Sequence, residues 1–220
     1  MRIIIVYDNE TCNENLASGW GFSCHIKSKK TNLLFDTGWD SNVLFSNMSG
    51  LGIELKGIEL LFLSHSHWDH TGALAEILHM NPALKVYLPA SFSRRLKDEI
   101  KMRSQLTQIS GPVTINNECI TTGESGKGVK EQSLIVRSKK GLIVITGCAH
   151  QGIEAILSTA RRFGKVYGLI GGFHHFEEYD LLENIELIAP CHCTYNKKVI
   201  RKLFPEKYVK CCAGKVIEVD

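Results

Sequence analysis

The 220-residue sequence contains few prolines, little net charge and no long apolar run. Five prolines and 19 glycines leave no low-complexity segment, and 44% apolar with 22% charged residues is the composition of an ordinary globular protein. The formal net charge of +3 is too small to indicate nucleic-acid binding by itself. We therefore expect one globular domain spanning residues 1–220, with a core large enough to fold without additional cross-links.

The apolar runs are too short to cross a membrane. The run at residues 3–7 is followed by no small-residue cleavage site, so it predicts a buried strand rather than a signal peptide. From these features we expect a cytoplasmic protein with no membrane partner.

The sequence has eight cysteines but lacks any C-x-x-C pair. In a chain of this length without a secretory signal, reduced thiols are the default expectation. The cysteines at residues 191–193 and 211–212 leave a structural zinc site open as an alternative. Neighbouring cysteines, however, chelate tetrahedral zinc less readily than cysteines spaced two to four residues apart.

Short apolar strands come in hairpin-like groups early in the chain and alternate with helical patterns later. This order predicts an α/β protein with mixed sheets. Helices are predicted at residues 72–80, 91–103 and 151–163, and a buried strand at residues 58–63 ends directly before a polar segment.

That polar segment, SHSHWDHTG at residues 64–72, holds three histidines and an aspartate within six positions. In an extended segment, residues two apart project to the same side, so His65 and His67 should point together. A turn should then bring Asp69 and His70 back over the same spot. Because Zn²⁺ and Fe²⁺ accept nitrogen and carboxylate ligands, and because unpaired buried polar groups are costly, the segment predicts a metal site.

The pattern H-x-H-x-D-H after a strand resembles the signature of the metallo-β-lactamase-fold hydrolases. Four further segments, LLFDTGWDSNVLFSNMSGLGIEL, TGCAHQGIEAIL, IGGFHHF and PCHCT, resemble the dihydropterin-ribofuranosylaminobenzene-phosphate-synthase-like subfamily. The resemblance covers nearly the whole chain. It implies a four-layer αββα sandwich with metal ions at the edge of the sheets.

The same resemblance implies which residues would hold one or two divalent metal ions. The first ion would be bound by His65, His67 and His150, and the second by Asp69, His70 and His192. Asp36, in the DTG turn, would support the site from beneath. Zinc is the expected metal, with iron and manganese as alternatives, because imidazole and carboxylate ligands suit all three.

The chain departs from the family pattern where many dinuclear members carry a bridging aspartate. Here residues 171–175 read GGFHH. Two outcomes follow for the metal site: His174 stands in as a ligand, or only one metal is firmly bound. A polar surface turn is the alternative role for His174 and His175.

The implied activity is that of a metal-dependent hydrolase, in which a metal-activated hydroxide attacks an ester or phosphoester. Asp69 would orient the water, and His174 or His175 would donate a proton to the leaving group. Basic residues concentrate at residues 94–103 and 197–215, and the second segment has seven Lys or Arg against one Glu. If either segment borders the metal site, a small phosphorylated substrate is expected; otherwise both are solvated faces.

Three other functions remain open from the sequence. A ribonuclease Z-like phosphodiesterase would share the metal motif, but a chain of this length leaves no room for an RNA-gripping arm, so a nucleic-acid partner is not expected. A thioesterase of the glyoxalase II type would need a further helical domain. The missing bridging aspartate also suggests a non-catalytic metal-binding or sensing module.

Overall fold

Two β-sheets pack face to face in the computed structural model, which describes residues 1–219. The first sheet comprises β1 (Arg2–Tyr7), β2 (Ser23–Lys27), β3 (Asn32–Phe35), β4 (Leu60–Phe62), β5 (Lys85–Pro89), β6 (Gln105–Ile109) and β13 (Val216–Glu218). The second comprises β7 (Val113–Thr114), β8 (Cys119–Thr121), β9 (Leu134–Ser138), β10 (Gly141–Thr146), β11 (Val166–Gly172) and β12 (Leu187–Cys191). Their spatial orders are β13-β1-β2-β3-β4-β5-β6 and β12-β11-β10-β9-β8-β7.

Helices cover the outer faces of both sheets. They are α1 (Ser41–Gly50), α2 (Trp68–Thr71), α3 (Leu74–Met80), α4 (Arg94–Arg103), α5 (Ile153–Arg161) and α6 (Lys197–Leu203), with 3₁₀ turns at Leu55–Gly57 and Tyr179–Leu182. No helix within residues 1–219 combines the length and apolar character needed to span a bilayer.

The side chains of β1 show how the layers form, because successive residues of a strand point to opposite faces. Ile3 and Ile5 lie in the core between the two sheets, which also contains Phe35 and Ile145. Ile4 points the other way, into the apolar layer beneath the helices.

Each sheet has its own helical cover. Beneath α1, α3 and α4, the outer core of the first sheet includes Leu44, Ile77 and Ile100. Beneath α5 and α6, the outer core of the second sheet includes Leu157 and Ile200. The resulting four layers confirm the predicted αββα sandwich.

The sequence-based boundaries were inaccurate at several points. The helix predicted at residues 72–80 is preceded by α2, which places Asp69 and His70 on a helical turn rather than in a loop. The helix predicted at residues 91–103 begins only at Arg94, because the Ser93 side chain accepts a hydrogen bond from the backbone N–H of Leu96 and caps it. Strands β6, β7 and β8 were not predicted.

One pair of cysteines departs from the expectation that all thiols are reduced. Cys12 and Cys212 form a disulfide across a sequence separation of 200 residues. Cys191 and Cys211 are buried in the core between the sheets. The segments at residues 191–193 and 211–212 therefore do not assemble the alternative structural zinc site within the described residues.

Parallel pairing brings distant segments to one edge of the sandwich. β3 and β4 are parallel neighbours, as are β10, β11 and β12. The carboxyl ends of parallel strands meet at the same edge. The histidine-bearing segments that follow β4, β10, β11 and β12 consequently converge there.

Candidate metal centre

Three of the predicted ligands form a compact imidazole group at this edge. Nε2 of His65 lies 3.1 Å from Nδ1 of His67. The His150 ring, contributed by the segment after β10, has its centroid 4.8 Å from that of His65 and 4.9 Å from that of His67. The structure thus brings together the three residues expected to hold the first metal.

The other three predicted ligands form a second group beside the first. Oδ2 of Asp69 lies 3.3 Å from Nε2 of His192 and 3.9 Å from Nε2 of His70. The ring centroids of His65 and His70 are 4.2 Å apart, so the two groups are in contact. All six predicted ligands therefore meet at one place, and their role as ligands stays a prediction.

Asp36 organises both groups from a fully buried position. Its Oδ2 lies 2.7 Å from Nδ1 of His70, and its two carboxylate oxygens accept hydrogen bonds from the backbone N–H and the hydroxyl of Ser64. The Ser64 hydroxyl in turn lies 2.8 Å from Nδ1 of His65. Because each Nδ1 is engaged, Nε2 of His65 and of His70 is the atom left for a ligand.

His192 is held by residues that the sequence analysis did not single out. Its backbone N–H donates to Oδ1 of Asp8 at 2.7 Å, and its Nδ1 lies 3.0 Å from Oδ1 of Asn9. Asn9 and His192 are separated by 183 residues, so no local pattern signals this contact.

Glu131 fixes the backbone that carries His150. One oxygen of its buried carboxylate accepts hydrogen bonds from the N–H groups of Gly147, Cys148 and Ala149, and the other accepts one from the N–H of His150 at 2.8 Å. Sequence reasoning missed Glu131 because its partners are backbone groups 16–19 residues away.

The donors fit a divalent cation. Nε2 of His150 is buried without a hydrogen-bond partner, and Nε2 of His192 has only the Asp69 carboxylate beside it, which is costly unless another group satisfies these atoms. Burial and neighbouring imidazoles lower the pKa of His150 and of His192 to about 4, and they lower the pKa of His65 well below its usual value. These rings are therefore neutral near neutral pH, which is the form that binds metals.

Asp69 is ionised under the same conditions. Burial alone would raise the pKa of its carboxyl, but the contact with His192 and the influence of His70 lower it to about 2. A carboxylate beside imidazole nitrogens is a donor set that suits zinc and iron.

His174 and His175 have different surroundings. The ring centroid of the half-buried His174 lies 4.6 Å from that of His150, at the margin of the first group. His175 is exposed, and its ring lies 5.3 Å from that of Tyr195. Only His174 is close enough to take part in chemistry at the cluster.

Backbone conformation is unusual at this site. Among residues 1–219, the non-glycine residues with positive φ are Asp36, Ala149, His174 and His192. Such conformations cost about 1–3 kcal/mol each and are concentrated at functional sites. All four residues belong to the site or flank it.

A basic cleft of about 660 Å³ opens beside His192. Its cationic lining comes from Lys197, Lys198, Arg201 and Lys210. The other basic segment behaves differently, because in α4 the cations Arg94, Lys101 and Arg103 pair with acidic residues of the same helix. The basic segment at residues 197–215 therefore borders the candidate metal centre through the cleft that His192 also lines.

The arrangement agrees with comparisons to known proteins. A family model described as "Metallo-beta-lactamase superfamily" matches residues 25–132, the part that contains the H-x-H-x-D-H segment. The crystal structure of Tm1679, described as a metal-dependent hydrolase of the beta-lactamase superfamily, superposes with a TM-score of 0.78 at 26% identity, covering 100% of this chain and 99% of that one. The chain has the metallo-β-lactamase fold. Members of this superfamily generally bind divalent metals.

Two relatives from Methanocaldococcus jannaschii match over most of the metallo-β-lactamase-fold chain. One, named 7,8-dihydropterin-6-methyl-4-(beta-D-ribofuranosyl)-aminobenzene-5'-phosphate synthase, is 26% identical over 91% of this chain and 89% of its own length. The other, an uncharacterized protein, is 26% identical over 99% of this chain and 100% of its own length. These matches confirm the resemblance that the sequence motifs indicated.

Proposed function

We propose that this protein is a metal-dependent hydrolase that cleaves an ester or phosphoester bond of a small, phosphorylated substrate. The observation that carries the proposal is the convergence of His65, His67, Asp69, His70, His150 and His192 beside an open, basic cleft. A bound divalent cation supplies Lewis acidity and lowers the pKa of water from 15.7 to about 7.

The protein's own residues orient and protonate the reactants. The ionised Asp69 accepts a hydrogen bond from the attacking water and aligns it, in addition to its role as a ligand. His174, at the edge of the cluster, donates a proton to the leaving-group oxygen. The cationic side chains of the cleft bind the phosphate of the substrate.

The preference for a phosphorylated substrate has two supports. Lys198 and Arg201 line the cleft and have no ion-pair partner within residues 1–219, whereas Lys197 and Lys210 share Glu10. In addition, one Methanocaldococcus jannaschii relative is named for a ribofuranosyl 5'-phosphate compound. That relative is named a synthase. The assay must therefore identify the products, so that hydrolysis is distinguished from other reactions of the same substrate.

The test is an assay of protein loaded with zinc, iron or manganese against phosphomonoesters, phosphodiesters, thioesters and lactones, with elemental analysis of each sample. We expect hydrolysis of a phosphate ester that stops when a chelator removes the metal. Asp69→Asn should lower kcat by about a hundredfold or more. Asp98→Asn, which alters an exposed carboxylate of α4, is the matched control and should leave kcat unchanged. Inactivity with all three metals would overturn the proposal and favour a metal-binding module.

A further inference from the structure

The thiol of Cys148 occupies a central position among the candidate ligands. Its Sγ belongs to three groups of donors whose members all lie within 4.8 Å of one another. The other members of these groups are His65 with His150, His70 with His192, and His174 with Cys193. We call His65, His67 and His150 the His65 group, and Asp69, His70 and His192 the His70 group. Among the clusters of possible metal donors within residues 1–219, Cys148 is the only residue that lies with members of both groups.

A side-chain contact and a backbone hydrogen bond hold Cys148 in place. Sγ of Cys148 lies 3.3 Å from Nε2 of His70, and the residue is almost fully buried. Its backbone N–H donates to the carboxylate of Glu131 at 2.9 Å. The same carboxylate holds His150, so the thiol and that imidazole are positioned by one anchor.

The neighbouring strand end has no room for a competing side chain. A Cβ at Gly172 would lie 2.4 Å from the carbonyl oxygen of Gly147, 2.6 Å from Sγ of Cys193 and 3.2 Å from Cα of Cys148. These distances are shorter than van der Waals contact. A side chain at position 172 would therefore collide with its neighbours, and among the donor clusters found within residues 1–219 the sulfur of Cys148 is the donor common to both groups.

We propose that the Cys148 thiolate is a ligand shared by the two metal positions, one bound by the His65 group and one by the His70 group. This inference rests on the proposed metal centre. On metal binding, the thiol proton passes to solvent and the sulfur donates one lone pair to each cation. Cations deprotonate coordinating thiols, and Zn–S distances are about 2.3 Å.

A shared thiolate also restricts the metal. Thiolate is a soft ligand that favours zinc and iron over manganese, which prefers carboxylate, carbonyl and water. The imidazole and carboxylate ligands alone do not make this distinction. Cys148 therefore selects zinc or iron at a site whose other donors would accept manganese.

Cys193 provides the matched control. Its sulfur lies in the same cluster as Cys148 and His174, but it belongs to neither the His65 group nor the His70 group. Replacing Cys193 by serine changes the neighbouring thiol while leaving the Cys148 sulfur, the proposed shared ligand, in the chain.

The test is X-ray absorption at the metal edge of the zinc-loaded protein, with metal content measured on the same samples. Wild-type protein should bind two zinc ions with an average of about one sulfur per metal at about 2.3 Å. Cys148→Ser should lose the sulfur signal, and Cys193→Ser should retain it. In cobalt-loaded protein, the thiolate-to-metal charge-transfer absorption should follow the same pattern.

The outcomes separate this inference from the function on which it rests. Two bound metals without sulfur would overturn the inference and leave the metal centre intact, whereas no bound metal would overturn both. An average of about half a sulfur per metal would overturn the sharing. If the metal–sulfur signal is lost in Cys193→Ser, the ligand is Cys193, and the role proposed for Cys148 is overturned. The wild-type spectrum decides the question even if Cys148→Ser does not fold.

Discussion

Asp36 and His70 are joined by a contact of 2.7 Å between Oδ2 and Nδ1, and both side chains are fully buried. The contact keeps the Nδ1 proton of His70 on the carboxylate side, which leaves Nε2 free to bind a cation. Asp36 also accepts two hydrogen bonds from Ser64, whose hydroxyl contacts His65. One carboxylate therefore orients an imidazole in each of the two groups.

We expect Asp36→Asn to weaken metal binding by about 10–100-fold, because an amide does not hold the two imidazoles in the same orientation. The metal dissociation constant, measured by competition with a chelator, checks this. Asp40→Asn is the control, since Asp40 caps α1 from an exposed position and asparagine caps equally well. Equal affinities for the wild type and Asp36→Asn would contradict the orienting role of Asp36.

The ligands that were predicted from the sequence share one property, because each belongs to a short motif at the end of an apolar strand. His65, His67, Asp69 and His70 lie within six residues, so their proximity follows from local geometry. His150 and His192 were assigned only through family resemblance, since nothing local indicates that they meet the others.

The residues that were missed depend on tertiary contacts. Glu131 and Asn9 act on ligands through partners distant in the chain, and Cys148 contacts His70 across a sequence separation of 78 residues. For the fold, the buried central strands were predicted from apolar runs. Strand β6, which is mostly exposed, and β7 and β8, with two and three residues, carry too little pattern to be detected.

The four hydrogen bonds accepted by Glu131 lead to a prediction about stability. In Glu131→Gln, an amide group replaces one acceptor oxygen and faces a backbone N–H that then has no partner. We expect the free energy of unfolding in urea to fall by about 1–3 kcal/mol. Glu124→Gln alters a half-buried carboxylate that accepts a hydrogen bond from the backbone N–H of Ser91, and it should change stability by less than about 0.5 kcal/mol. Similar small effects in both variants would contradict the role assigned to Glu131.

The tryptophans predict an optical signal for metal binding. Trp20, Trp39 and Trp68 are the three tryptophans of the sequence, and each is about half exposed. The Trp20 ring lies 5.2 Å from that of His192, and Trp68 follows His67 directly. Because a cation bound at these imidazoles changes the local field at the indoles, we expect tryptophan fluorescence to change during metal titration.

The fluorescence change should saturate at the number of metal equivalents found by elemental analysis. In Trp20→Phe, the part of the signal that reports the His70 group should be lost, while Trp68→Phe should remove the part that reports the His65 group. A titration that leaves the fluorescence of the wild type unchanged would place the cation away from these rings.

The disulfide between Cys12 and Cys212 predicts a stability that depends on redox conditions. It joins two ends of the chain across 200 residues, so it strongly restricts the unfolded ensemble. We expect Cys12→Ser to lower the free energy of unfolding by about 2–5 kcal/mol. A reducing agent should lower the stability of the wild type to the same value without affecting the variant. Identical unfolding curves with and without reductant would show that the pair contributes nothing.

The basic cleft yields a prediction in which two lysines of the same helix are compared. Lys198 lines the cleft beside His192, whereas Lys202, one turn further along α6, does not. If a substrate phosphate binds in the cleft, Lys198→Gln should raise KM by up to about fivefold, with little change in kcat, because a partly exposed ion pair contributes up to about 1 kcal/mol. Lys202→Gln should leave KM unchanged.

Since screening weakens exposed charge pairs, the difference between the two variants should shrink as the salt concentration rises. An equal rise of KM in both variants would indicate a general effect of charge rather than binding of phosphate in this cleft.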